Sequence, residues 1–541
     1  MTKKTALLLV TVFWTSRIAV FSQEETPETP EPVDESVIVY YIRTIDCEII
    51  GRTRKFALLH VLDLKEGRRI TGKPALEALV NRKTQDLRNE RVLKDEETRI
   101  DYTIGEAGED GLVPVDILVH TEDSWNIIAF PEPKFTAGSG EKSGFSLILK
   151  ARDYNFLGTM APLRVSAGFG RISATGEIFV PVDIDADIPF IFLGKYWNFN
   201  FDNIFNFPAK SDDPLQYTNV TGLSVELPWK KTTLTAGFDQ SLIVNEENSD
   251  LEKDETGENF FDNKWYMNTV LYAGWNIPLG IEAGNFGELI YNAGLSENFK
   301  YRPGGDIGDY RWGPVTGFSH RIEFGEIDWI GNFRKGLNVS LSNSINYNLW
   351  SRDPRGYGAG KEHWEVSFSP TVTGHFLPLH FLGIYGRLKY TQLFNFTNTP
   401  VKYWGVSAGE YLRGVPDDEL RAKQLFSLNL ELPLGLPLFT PSRWVKKGNR
   451  YFKPFDLEFQ VSPFVDLALM DGTDEDGSVN YGFKNLLAAA GVELYIYSLS
   501  WRSLYFRFSF GWDLREWSKT GNMPAPEIFL GMERFFESIK I

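Results

Sequence analysis

Long apolar runs are missing from this sequence. Beyond the N-terminus no segment offers ~18 uninterrupted apolar residues, so helical membrane spans are excluded. Cysteine is nearly absent: Cys47 stands alone, which rules out an intrachain disulfide. It has no cysteine or close histidine beside it for a metal site, so it reads as a small buried apolar residue. Positive charge is in deficit, with 56 Lys and Arg against 72 Asp and Glu, a net charge of −16. A nucleic-acid binder needs a basic face to neutralise phosphates, and that class is set aside. Catalytic signatures are missing too. There is no Gly-x-Ser-x-Gly, no His-Glu-x-x-His and no phosphate-binding loop. The six histidines do not cluster at ligand spacing, and the 375–380 pair brackets a proline, as a turn would. The expectation is a protein that is not an enzyme and needs neither cofactor nor metal.

Aromatic residues are abundant, at 14% of the 541 residues, and there are 48 glycines. Both fit a β-rich chain. The mean hydropathy of −0.23 is too polar for a helical membrane protein. It suits a transmembrane barrel, in which half of each strand faces a wet lumen.

Four segments follow from the patterning. Residues 1–22 read as a secretory signal peptide, with Lys3 and Lys4 before an apolar stretch from Ala6 to Trp14 too short to span a bilayer as a helix. Cleavage is expected after Ser22. Residues 23–36 are acidic and proline-rich, a linker composition. Residues 37–126 form a small domain. A strand is expected over 37–50, a helix over 55–62 and a second over 73–93, where Leu76, Leu79, Val80, Leu87 and Val92 recur near helical spacing. Strands at 99–104 and 113–119 complete the order β-α-α-β-β.

From residue 127 to the C-terminus the period is two. In 504–514, Leu504, Phe506, Phe508, Phe510, Trp512 and Leu514 fall on one face and Tyr505, Arg507, Ser509, Gly511 and Asp513 on the other. In 455–465, Phe455, Leu457, Phe459 and Val461 oppose Asp456, Glu458, Gln460 and Ser462. A soluble sandwich also alternates. Three features favour a membrane barrel. The segments reach ~10 residues, the length a tilted strand needs to cross hydrocarbon. They recur over some 400 residues. Tryptophans (Trp350, Trp364, Trp404, Trp512, Trp517) mark segment ends, as interfacial girdles do. The polar inserts 245–262, 301–315 and 351–363 read as extracellular loops, and 229–231 and 332–336 as periplasmic turns. Sixteen strands are expected and eighteen possible, an even number, because the small domain and the C-terminus must share the periplasmic side.

At several places the sequence resembles the BamA/TamA superfamily of outer-membrane insertases and translocases. Ile50-Gly51-Arg52-Thr53, the 62–67 stretch and 115–119 resemble a POTRA domain, and Asp153-Tyr-Asn-Phe-Leu-Gly158 resembles an early barrel turn motif. Leu412-Arg413-Gly414-Val415 resembles the Arg-Gly motif of a long loop that folds back into the lumen, with five strand-like segments after it. Its partner, an aromatic-x-Asp-x-Gly strand motif, is matched by Phe464-Val465-Asp466-Leu467-Ala468, with Ala468 in place of glycine; Val415 likewise replaces an aromatic. The resemblance implies a lumenal lock of Arg413, Gly414, Asp466 and Phe464. Read from the residues alone, Asp466 shares the polar strand face that a loop guanidinium could reach, while a solvated Arg413 is the plainer reading. The last segment, with Phe529, Gly531, Phe535 and Phe536, would form one side of a seam with the first barrel strand, or be an ordinary closing strand.

Two functions are carried forward. One is an assembly or translocation factor in the outer membrane, its small domain in the periplasm. Its partners would be unfolded outer-membrane or secreted protein clients, the lipid bilayer and periplasmic accessory proteins. The other is a passive pore or surface antigen with the same architecture.

Overall fold

The computed structural model describes residues 38–109, 111–136, 144–172, 178–208, 215–244, 265–282, 287–303, 314–348, 364–394, 406–407, 409, 411–415, 421–443, 455–473, 479–522 and 526–531. The signal peptide, the linker and most of the three polar inserts lie outside them, as do Phe535 and Phe536 and the tryptophans 350 and 404.

The small domain is built from β1 (Val39–Ile50), α1 (Lys55–Leu62), β2 (Arg69–Thr71), α2 (Lys73–Asn89), β3 (Arg99–Ile104) and β4 (Leu112–Glu122). Two details differ from expectation. The short strand β2 was not foreseen, and α2 ends at Asn89, not at residue 93, leaving Arg91 and Val92 in a turn. The sheet order is β2-β1-β4-β3, with β1 parallel to β4. Leu58, Leu62, Leu76 and Leu87 from the helices meet Ile42, Val115 and Val119 from the sheet in one core. That places a helical layer on one face of the sheet. Cys47 packs half-buried at the margin of this core, and burial pushes its thiol pKa up.

A bulge at Arg43 interrupts the β1–β4 register between Ile42 and Thr44. Its guanidinium bonds Asp116, Nε to Oδ1 at 2.8 Å. The Arg43 hydrogen bond, with a second from Thr44, holds the Asp116 carboxyl down at about 2. A depressed carboxylate contributes stability above its unfolded pKa and loses it as pH falls through the folded value. Amide exchange in β1 and β4 should therefore quicken relative to neutral pH between about pH 4 and the folded value, beyond the ordinary pH dependence of exchange. Asp116→Asn should remove that extra step.

The rest of the chain is strand. The succession is β5 (Ile127–Thr136), β6 (Gly144–Asp153), β7 (Leu163–Ile172), β8 (Ile178–Phe192), β9 (Lys195–Pro208), β10 (Gln216–Trp229), β11 (Thr232–Val244), β12 (Trp265–Glu282) and β13 (Glu288–Tyr301). It continues with β14 (Val315–Ile330), β15 (Phe333–Asn348), β16 (Trp364–Leu379) and β17 (Leu382–Phe394). The short pair β18 (Val406–Ser407) and β19 (Arg421–Ala422) stands apart as its own two-stranded sheet. Then come β20 (Gln424–Glu431), β21 (Leu434–Gly435), β22 (Leu457–Thr473), β23 (Val479–Ser498), β24 (Tyr505–Asp513), a helix α3 (Leu514–Thr520) and β25 (Glu527–Gly531).

Consecutive strands pair antiparallel, and the order returns on itself where β25 meets β5. The strands β20 and β21 occupy one place between β17 and β22, split before Pro433, which has no N–H to give a ladder. Counting them together gives eighteen staves among the described residues, the larger of the two expected numbers. Leu149, Phe238, Leu271, Leu295, Val372 and Phe510 are exposed on the outer wall. Lumen-facing Ser427, Asn429, Asp466 and Glu493 are fully buried. This is the inverted pattern of a barrel bathed in lipid. Trp512 ends a strand as expected, whereas Trp517 belongs to α3. That helix caps itself: the Asp513 carboxylate accepts from the Arg515 N–H at 2.9 Å. No described helix is long and apolar enough to cross a membrane.

Candidate functional site

The loop between β17 and β20 enters the lumen, and Arg413 at its tip is 4% exposed. Three carboxylates from three staves meet it. Asp466 on β22 accepts from Arg413 Nε at 2.9 Å, from Nη2 at 2.8 Å and from the backbone N–H at 3.0 Å. Glu431 on β20 accepts from Nη1 at 3.0 Å, and Glu493 on β23 lies 3.3 Å from Nη1. The Arg413 Cζ lies over the Phe464 ring, 3.8 Å from the ring centroid. Burial by itself would lower the Arg413 pKa. Glu493 and Asp466 reverse that and hold it well above its usual value. Arg507 on β24 bonds the same Glu493, Nε to Oε1 at 2.9 Å. Ser462 donates to the second oxygen of Glu431 at 2.8 Å. A buried charge group is stable only when its members are paired and hydrogen-bonded, and here they are.

The structure thus brings Arg413, Asp466 and Phe464 together as the motif resemblance implied, in place of a solvated arginine. Gly414 takes φ +83° and faces Gly511 of β24, where a Cβ would meet backbone carbon and nitrogen at 2.7 Å. Its N–H donates to Glu527 on β25 at 2.6 Å. The loop is therefore bonded both to the interior staves and to the last one. The departures from the motif are absorbed by apolar packing. Val415 and Ala468 join Tyr411, Leu412, Leu425 and Leu487 in one buried cluster. Room for the Phe464 ring comes from Gly491 opposite it on β23, where a Cβ would meet Phe464 Cζ at 2.5 Å.

Glu431, Glu493, Arg507, Gly511 and Glu527 were not singled out from the sequence. Alternation placed Arg507 and Gly511 on the polar face of their segment, but nothing along the chain distinguished any of the five from the many other polar residues of the barrel.

The seam is the second element of the site. Among the described residues, with β20 and β21 counted as one stave, every other neighbouring pair in the barrel shares several registered positions, but β25 and β5 share one, Ile528 with Phe135. On the other side Gly531 stands opposite Arg507 in the β24–β25 ladder. Nearer the small domain, side chains close the gap. Ile128 and Phe130 of β5 pack with Leu504, Trp501 and Phe506, and the Phe130 and Phe506 rings meet edge-on at 5.5 Å. Phe529 lies within the described strand β25.

The third element is a joint. Two stretches a hundred residues apart, Ile50-Gly51-Arg52-Thr53 and the 153–158 turn, dock on one another. Asn155 donates to Thr53 Oγ1 at 2.8 Å and to Asp123 at 3.1 Å, and the Arg54 N–H reaches the Gly158 carbonyl at 2.8 Å. Asp123 also accepts from the N–H groups of Arg52 and Thr53. The joint fixes the small domain to the first hairpins of the barrel.

Among the described residues, no group of three or more His, Cys, Asp or Glu is placed to hold a metal ion. No family model and no curated protein matches the sequence. Solved structures resemble it at low identity. A BamA from Haemophilus ducreyi lacking POTRA domains 1–3 is 14% identical, with 91% of this chain and 84% of that one covered and a TM-score of 0.32. CdiB from Escherichia coli is 12% identical, covering 92% and 75%, with a TM-score of 0.48. The siderophore receptor PirA from Acinetobacter baumannii is 12% identical, covering 78% and 67%, at 0.32.

Proposed function

We propose that the chain is a BamA/TamA-type factor of the bacterial outer membrane that inserts or translocates protein clients. The observation that carries this reading is the buried clasp of Arg413 on Asp466, Glu431 and Glu493, with Gly414 bonded to the last strand. The clasp holds an inward-folded loop on three interior staves and ties it to the last described strand, beside the seam. The seam carries one registered position among the described residues, and in this reading it is where the wall parts. In this reading the 37–126 domain is a periplasmic POTRA domain. Its edge strand β3, which pairs only with β4 among the described strands, receives an extended client segment by strand addition. No cofactor is implied; burial of the client's apolar surface in lipid supplies the driving force.

The test is to staple the seam. Cysteines at Phe135 and Ile528, with Cys47 replaced, occupy the facing pair of β5 and β25 among the described residues. Facing residues of antiparallel strands lie ~4.5–5.5 Å apart at Cα, inside the ~7 Å limit for a disulfide. In proteoliposomes the oxidised protein should lose client insertion and regain it on reduction, with the heat-resistant fold unchanged in both states. Full insertion by a completely crosslinked barrel would sink the lateral-opening mechanism and leave the pore or surface-antigen reading ahead.

A further inference from the structure

We infer that the turn joining β14 to β15 plugs the periplasmic mouth of the barrel, and that Arg91 of the small domain is the bolt that holds it there. The hairpin is bent just before its tip. Gly325 and Gly336 lie on facing strands at φ +96° and +138°. A Cβ on Gly325 would meet the Leu337 carbonyl oxygen at 2.0 Å, and one on Gly336 would meet that of Glu326 at 2.0 Å. Such backbone bends are open to glycine and costly for other residues.

Beyond the bend, residues 329–334 turn across the opening. The Asn332 side chain donates to Glu458 on β22 at 2.8 Å, and Gln460 donates to the Asn332 carbonyl at 3.2 Å. The Arg334 N–H donates to the Tyr385 hydroxyl on β17 at 2.7 Å. Trp329 is buried in a cluster with Tyr495, Tyr497 and Tyr505 of β23 and β24. A turn belonging to the tenth and eleventh staves is thus anchored on the thirteenth, fifteenth, sixteenth and seventeenth. That is a reach across the mouth, not along the wall.

The small domain closes over it from below. The Arg91 guanidinium stacks on Trp329 at 4.3 Å, while Arg334 stacks on the same ring at 4.4 Å. Arg91 also donates to Asn332 Oδ1 at 3.0 Å and to the Arg502 carbonyl in the β23–β24 turn. Gln85 donates to the Trp329 carbonyl at 3.0 Å, and Asn89 exchanges hydrogen bonds with Asp328 and with the Trp329 N–H, each at 2.9 Å. Arg502 returns the contact, donating to the carbonyls of Leu93 and Arg88 at 3.0 Å each. One arginine therefore ties the plug to the domain and to the turn beside the seam.

The inference does not depend on what the seam does, and its readout is ionic current. The purified full-length protein in a planar bilayer should be nearly silent. Arg91→Ala removes a stacked and hydrogen-bonded cation, so open-state occupancy should rise about tenfold or more. A second variant keeps the test independent of folding. Asn332→Cys with Glu458→Cys, in an Arg91→Ala and Cys47→Ser background, can be bridged by a short thiosulfonate crosslinker. Bridging should silence the current and reduction should restore it. The inference is overturned if heat-resistant Arg91→Ala protein conducts no more than the wild type. It is equally overturned if the bridged form conducts as the reduced form does, or if the wild type conducts steadily.

Discussion

Replacing Arg413 with alanine should destabilise the barrel by about 3–5 kcal/mol, because it leaves buried carboxylates without their cation. Asp466, Glu431 and Glu493 would remain, with Arg507 bonded to Glu493. Asp466→Ala should cost less. Arg413 would keep Glu431 at 3.0 Å and Glu493 at 3.3 Å and would lose the side-on pair to Asp466. The double variant removes one charge of each sign and should be no worse than Arg413→Ala alone. That non-additivity is the signature of a direct pair. The measurement is the urea concentration at which the heat-resistant band disappears on unheated gels, taken for all three variants. Losses that simply add would mean that the two residues act apart.

Gly158→Ala should release the small domain while leaving the barrel whole. The residue takes φ +76°, and a Cβ there would stand 1.9 Å from the Arg52 carbonyl oxygen. The conformation alone costs about 1–3 kcal/mol for a residue with a side chain. The clash adds to it, because the obstructing atom is backbone that cannot rotate away. Relief requires the 153–158 turn to move off the 50–53 segment, and with it go the Asn155 bonds to Thr53 and Asp123. Arg52 and Arg54 flank that joint. Trypsin should cut there much faster in the variant, and a heat-resistant barrel should persist as the product. A cleavage pattern like the wild type's would show that the joint tolerates the methyl group.

Much of this architecture is legible in the sequence, for physical reasons. Alternation over 504–514 survives because one face meets lipid and the other the lumen, so each position is constrained by its surroundings. The joint and the clasp are carried by short local motifs, and Arg413 with Asp466 could be paired before any coordinates. Other features were hidden. Strand β2 has three residues, too few to show a period. The strand count blurs where turns carry apolar residues, such as Leu193 before Gly194 and Ile330 before Gly331. The partners Glu431, Glu493 and Arg507 depend on which staves lie side by side at one height. That is set by the stagger of the barrel, which no single strand records. The plug was hidden for the same reason: Asn332 and Glu458 are 126 residues apart.

The bond from the Gly414 N–H to Glu527 spans 113 residues, and its acceptor lies in the last described strand. Contacts of long sequence separation form late, since chain entropy is lost before they repay it. A nascent barrel whose loop is already clasped by Asp466 would present one N–H, held in place, to the arriving final stave. Glu527 would then find its partner fixed, and ring closure would be registered by that carboxylate as well as by the pairing of Ile528 with Phe135. A chain lacking it, as in Glu527→Ala, should complete its wall more slowly and with the last strand free to slip.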